Sequence, residues 1–131
     1  LFVYLSAMNI HNIKRKHLLQ AVEYCNKIFK KPTYPKLRLS RTRLKEEPSC
    51  KGEYDEDTNT LIIYKPAHRS AIDIIDTVIH EYTHSTQCMV KYFKMAGKYG
   101  YSKHPYEREA VRMGKLHSKK CKQYITELNK K

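Results

Sequence analysis

Glycine and proline are scarce in this 131-residue chain, at four and five positions. That scarcity excludes a collagen-like or low-complexity polypeptide. No apolar run approaches the ~18 residues that a membrane-spanning helix needs. The four cysteines, Cys25, Cys50, Cys88 and Cys121, form no CxxC pair. A zinc ribbon or a thioredoxin-like site is therefore not expected, and free, mostly buried thiols are. Carboxylates are in short supply, 13 against 26 lysines and arginines, for a net charge of +13. Such an excess predicts attraction to polyanions: nucleic acid, acidic protein or an anionic surface. Residues 1–7, ahead of Met8, lack the charged start of a signal peptide. This gives the expectation of an intracellular, cytoplasmic protein, with residues 1–7 an edge strand or a disordered or non-native extension. What remains, 40% hydrophobic and 30% charged, suits one domain over residues 1–131.

Periodicity places the elements. Ile13, Leu18, Leu19, Val22, Cys25, Ile28 and Phe29 recur at helical spacing until Pro32 and Pro35 intervene. Lys36 to Ser40 alternates and reads as a strand. Two further strands, Cys50 to Tyr54 and Thr60 to Tyr64, flank the turn residues 55–59 and predict a hairpin. The acidic turn lacks the glycine and terminal glutamate of a calcium loop, so it reads as solvated. Ser70 and Asp73 form an S-x-x-D capping box ahead of a stripe. That stripe runs through Ile72, Ile75, Val78, Ile79, Tyr82, Thr86, Met89 and Phe93, with breaks at Gly97 and Gly100. Pro105 opens a last helix, to about Leu128.

His80-Glu81-Tyr82-Thr83-His84 is an H-E-x-x-H sequence inside the stripe. Spacing of four residues puts both imidazoles on one helix face, one turn apart. Two neutral ring nitrogens there can meet one Zn²⁺ at about 2.0–2.1 Å. Glu81 is then placed to exchange a proton with a water rather than to bind the metal. Random order of this composition produces the pattern in roughly 0.02–0.03 of chains. A catalytic zinc also needs a third protein ligand, and Glu109, Glu107, His104 and His117 are the candidates downstream.

Pro105-Tyr106-Glu107-Arg108-Glu109-Ala110, after an HExxH helix, resembles the gluzincin metallopeptidases. There the third ligand is a glutamate on the following helix, commonly the one directly before alanine, and that match points to Glu109. The order helix, strand, hairpin, HExxH helix, glutamate helix is similar to the single-domain minigluzincins. The resemblance implies an α+β, zincin-like domain holding one Zn²⁺ on His80, His84 and Glu109. It also implies peptide hydrolysis with Glu81 as general base, on a peptide or protein substrate. One departure stands out: where larger gluzincins often carry an aspartate four residues after the ligand, this chain has Met113. A helical wheel does not separate Glu109 from Glu107. His104 as third ligand would resemble the SprT-like metalloproteases, which work near nucleic acid. A third reading is a zinc-bound but catalytically idle binding module with a basic surface.

Around the motif, Asp76 and Asp73 precede His80 on its helix face, where either could orient it; a cap at Asp73 and a solvated carboxylate at Asp76 are the expectation. Tyr99, Tyr101, His104 and His117 are the supply of donors for a developing oxyanion. In HExxH peptidases the strand before the active helix forms the cleft lip, where substrate adds as a strand. That role would fall on Leu61, Ile62, Ile63 and Tyr64. Lys14, Arg15 and Lys16, with Arg108, Arg112, Lys115, Lys119 and Lys122, make basic faces open to nucleic acid. No zinc-finger, Walker or RRM signature accompanies them.

Overall fold

The computed structural model describes residues 9–130; the alternatives weighed for residues 1–7 lie outside them. The chain is an α+β domain of four helices and a three-stranded mixed sheet. In order it runs α1 (Arg15–Ile28), β1 (Lys36–Ser40), β2 (Gly52–Asp55), β3 (Thr60–Tyr64), α2 (Ala71–Ser85), α3 (Met89–Tyr99) and α4 (Pro105–Leu128). Single 3₁₀ turns, Ile10–Asn12 and Lys65–Ala67, precede α1 and α2. No helix among the described residues is long and apolar enough to cross a membrane.

The sheet order is β1-β3-β2, with β1 parallel and β2 antiparallel to β3. The hairpin turn forms where expected. Asn59 takes a positive φ of 49°, and the Asp55 carboxylate accepts from the Asp57 N–H at 3.0 Å and the Thr58 hydroxyl at 3.0 Å. The acidic run is thus a self-capped turn. The long loop between β1 and β2 is pinned by Arg43, whose guanidinium donates to the carbonyls of Pro48 (2.9 Å) and Pro66 (2.8 Å).

One apolar core joins α1, the sheet and α2. Leu18, Ala21 and Cys25 of α1, Leu37, Leu61 and Ile63 of the sheet, and Ile74, Ile75, Val78, Ile79 and Tyr82 of α2 share one cluster, which Cys121 and Ile125 of α4 also join. Each of those α2 side chains is at most 1% exposed, a stripe whose removal from water supplies about 1.5–3 kcal/mol per side chain. Tyr82 keeps its polar end satisfied at Asn26 Oδ1 (2.6 Å) and by the Thr33 N–H (3.1 Å). Gly114 lets α4 close onto α2: a Cβ there would collide with the Asp76 carboxylate.

The stripe from Ile72 to Phe93 is not one helix. α2 ends at Ser85, and α3 begins after Cys88 in extended backbone. Hydroxyls end it: Ser85 bonds the Tyr82 carbonyl (2.5 Å) and Thr86 the Thr83 carbonyl (2.7 Å). Such local bonds compete with helix continuation. Gly100, at φ 72°, then closes α3. All four cysteines are free, Cys25 and Cys121 buried, Cys88 exposed and Cys50 in between.

Candidate metal centre

α2 is positioned by its core stripe, and the two histidines follow from that. Ser70 caps it, its hydroxyl accepting from the Asp73 N–H at 3.2 Å. The Asp73 carboxylate accepts from the Arg69 N–H (3.1 Å) and Lys51 (2.7 Å). It therefore serves the helix end and not His80. With Val78, Ile79 and Tyr82 directed into the core, His80 and His84 emerge on the adjacent face. Their rings lie 5.0 Å apart, nearly perpendicular.

The third member is Glu107. Its Oε1 lies 3.2 Å from His80 Nε2 and 3.2 Å from His84 Nε2. His80, His84 and Glu107 form the only metal-competent cluster among the described residues. Four ligands at zinc distances on a tetrahedron stand about 3.3 Å apart, so both distances match a tetrahedral edge. Burial would raise the Glu107 carboxyl, but hydrogen bonds from His80, His84 and Tyr92 outweigh it and hold the group well below the carboxylate range. A charged oxygen facing two ring nitrogens is the donor set that a divalent metal of the zinc type takes.

Glu109, the residue the gluzincin pattern selects, is not in the cluster. It is exposed, and its Oε1 accepts from the Gln87 side chain at 2.7 Å. Two residues along a helix is about 200° of rotation, so the two glutamates cannot share a face. The buried stripe of α4 is Glu107, Ala110, Gly114, Ser118, Cys121 and Ile125, with Glu107 near its centre. Gly114 and Ser118, on that face, carry no apolar signal, while the partly buried Met113 and Tyr124 lie about 100–120° around the helix from Glu107 and draw the apolar stripe toward Glu109.

His104 is buried with both ring nitrogens engaged, at the Tyr92 carbonyl (2.8 Å) and the Tyr106 N–H (3.1 Å). It is the cap of α4, and not a free ligand. His117 lies away from the cluster, 3.3 Å from the Tyr24 hydroxyl.

Two residues that motif reading passed over complete the centre. Gln87 Oε1 is 2.7 Å from His84 Nδ1, and its amide nitrogen donates to the Tyr106 carbonyl (3.0 Å) and to Glu109. With both amide hydrogens taken, the oxygen must face His84. The ring then carries a proton on Nδ1, and in its neutral form would keep the Nε2 lone pair for a metal. Glu109 thus acts on His84 through Gln87. Tyr92 of α3 donates to Glu107 Oε2, sets its ring edge-on to His84 at 5.7 Å and stacks on His104 at 4.1 Å. Neither has a fixed spacing from the motif, and Gln87 lies past the end of α2, where helix periodicity does not mark it.

Glu81 is 7% exposed. Burial raises its carboxyl above the usual range, against the opposing pull of His80 and His84. Its Oε2 lies 4.0 Å from His80 Nε2. Gly52 of β2 faces it: a Cβ there would sit 3.1 Å from Glu81 Cγ and 2.9 Å from Thr77 Cγ2, so only glycine lets β2 approach this closely. Asp76 lines the cleft with its carboxyl raised by burial, against the pull of His80. Tyr101 lines it too, its hydroxyl pushed up to about 12 by burial and by the Glu107 carboxylate. The cleft has a volume of about 730 Å³ and runs along β2.

The lip expected on Leu61, Ile62, Ile63 and Tyr64 moves one strand over. β3 is paired on both sides, to β1 and to β2, so its backbone cannot take an added strand. The free edge beside the cleft is β2. The Tyr64 N–H bonds the Lys51 carbonyl at 2.9 Å. By antiparallel alternation the backbone groups of Gly52 and Tyr54 then point away from β3.

Comparison with protein-family models, curated proteins and solved structures finds no match. Function must therefore be argued from the residues of the cleft.

Proposed function

We propose that this chain is a small zinc-dependent peptidase of the gluzincin kind, with a zincin-like fold. Its ligands are His80, His84 and Glu107. The observation that carries the reading is the meeting of Glu107 Oε1 with both Nε2 atoms at 3.2 Å, beside a buried glutamate that binds neither. A zinc ion held by these three would supply Lewis acidity and lower the pKa of a water.

The chain's own residues provide the rest. Glu81 accepts a proton from the attacking water and returns it to the departing amine nitrogen. A carboxyl raised by burial suits both halves of that transfer. The free edge of β2 supports the peptide backbone as an added strand, with Gly52 and Tyr54 offering their amide and carbonyl groups. Tyr101 is the hydroxyl donor available for the oxyanion; Tyr99, His104 and His117 do not line the cleft. The SprT-like ligand set loses its support because His104 has no free ring nitrogen.

The test is Glu81→Gln. Wild type loaded with zinc is expected to cleave a quenched peptide mixture, and the variant to keep its zinc and lose at least 10²-fold in rate. Equal rates would overturn the mechanism. Zinc binding with no cleavage by either protein would leave the idle binding module as the better description.

A further inference from the structure

A second hollow, of about 570 Å³, adjoins the cleft and shares Tyr101, Glu107 and Val111 with it. Its floor is apolar. Val111 and Leu116 are 42% and 57% exposed, and Tyr101 is 69% exposed. Its rim is cationic: Arg108, Arg112 and Lys115 line it. None of the three forms an ion pair with a described residue. The single acid in the lining is Glu107, whose charge is already met by His80 and His84. The groove thus combines apolar side chains with three cations that make no ion pair, Lys115 feeling only the Asp76 carboxylate, and it adjoins the candidate metal centre.

The spacing of the cations fixes a scale. Positions 108, 112 and 115 follow i, i+4, i+7 and form one stripe on α4. Seven residues of helix rise about 10 Å, the length of about three residues of extended peptide. On the α4 wheel these cations fall between Val111 and Leu116, so an apolar side chain seated on Tyr101 and Val111 would lie beside carboxylates reaching the cationic stripe. A nucleic-acid backbone would meet the same charges, but it has little use for the apolar faces of Tyr101 and Val111, which the hollow shares with the metal-site cleft.

We infer that this groove selects the substrate: a peptide segment bearing an aliphatic or aromatic residue flanked by Asp or Glu, bound beside the metal centre. The inference rests on the peptidase reading and deepens it. Long, mobile surface cations act on encounter and selectivity more than on raw affinity, and their effect weakens with salt.

The test uses the full chain carrying Glu81→Gln, loaded with zinc, so that binding is read without turnover. Three fluorescent ten-residue peptides share a central Phe flanked by Glu, Gln or Lys. The Glu peptide is expected to bind at least tenfold tighter than the Gln peptide. Adding R112E and K115E should remove that tenfold preference while leaving zinc content unchanged. Equal binding of the Glu and Gln peptides would overturn the inference. So would a Glu-peptide affinity that the double reversal leaves unchanged. An oligonucleotide of matched charge that displaces the Glu peptide, binds more tightly than it and loses this advantage in the double variant would reassign the groove to nucleic acid. The wild-type chain separates the two readings. Cleavage of neither peptide, with the binding preference intact, would remove the peptidase reading and keep the groove. Equal cleavage of the Glu and Gln peptides would do the reverse.

Discussion

Ten residues of α2 are buried, and none of α3 is. The two helices are neighbours in the chain and both touch the candidate metal centre, yet they are held by opposite means. α2 is fixed by Ile74, Ile75, Val78, Ile79 and Tyr82 in the core, and its histidines inherit that rigidity. α3 is fixed from the site outward. Its anchor is Tyr92, through Glu107, His84 and the His104 that caps α4. Val90 and Phe93 stay exposed at 66% and 68%. The scaffold therefore places the candidate ligands, and these in turn place α3.

The largest expected effect breaks the scaffold side of that comparison. Ile79→Ala should destabilise the fold by about 2–5 kcal/mol, through lost burial and a residual cavity. Phe93→Ala should change stability by no more than about 0.5 kcal/mol. Denaturant titration of both checks the contrast, and equal losses would mean α3 is part of the core.

Next in size is the support of His84. Gln87→Ala should weaken zinc binding by about 10–100-fold, measured by chelator competition with the fold intact by circular dichroism. Glu109→Ala, one bond farther out, should cost less than Gln87→Ala. An unchanged affinity in Gln87→Ala would show that the tautomer of His84 is set elsewhere.

Tyr92→Phe sharpens the comparison from the α3 side. It removes one hydrogen bond to a carboxylate, about 1.5–3 kcal/mol of local contact. Amides of α3 should exchange with solvent faster, while those of α2 keep their protection. Equal protection of α3 in both proteins would show that Tyr92 is not its anchor.

The smallest effect is a pH term at the end of β3. Burial lowers the pKa of His68, which lies 2.8 Å from Thr77 Oγ1 and 2.9 Å from the Tyr64 carbonyl. Its folded value is depressed, so its stabilisation is complete above the unfolded value of about 6.5 and is lost as pH falls through the folded value. The melting temperature of wild type should fall more between about pH 7 and pH 5 than that of His68→Gln. Parallel slopes would remove His68 from the pH response.

The helices and strands follow from patterns that sequence carries openly. The alternation of Leu37 and Leu39, the Ser70–Asp73 cap and the Pro105 start all lie in short windows, and each element forms close to its expected place. His80, Glu81 and His84 were legible for the same reason, because helix geometry alone brings them together. What was hidden depended on neighbours distant in sequence. The choice of Glu107 over Glu109 turns on Gly114 and Ser118, whose burial comes from the approach of α2 and Asp76, not from their own hydrophobicity. The free edge lies on β2 because β1 pairs in parallel with β3, a topology that no strand announces. The break at Thr86 is set by hydroxyls that a hydrophobic stripe does not register.

Metal content tests the role of Glu107 most directly. Zinc per chain, by mass spectrometry of the purified protein after reconstitution and dialysis, is expected to be one for wild type and for Glu109→Ala. It should fall close to zero for Glu107→Ala. Zinc retained by Glu107→Ala and lost by Glu109→Ala would contradict the site described here.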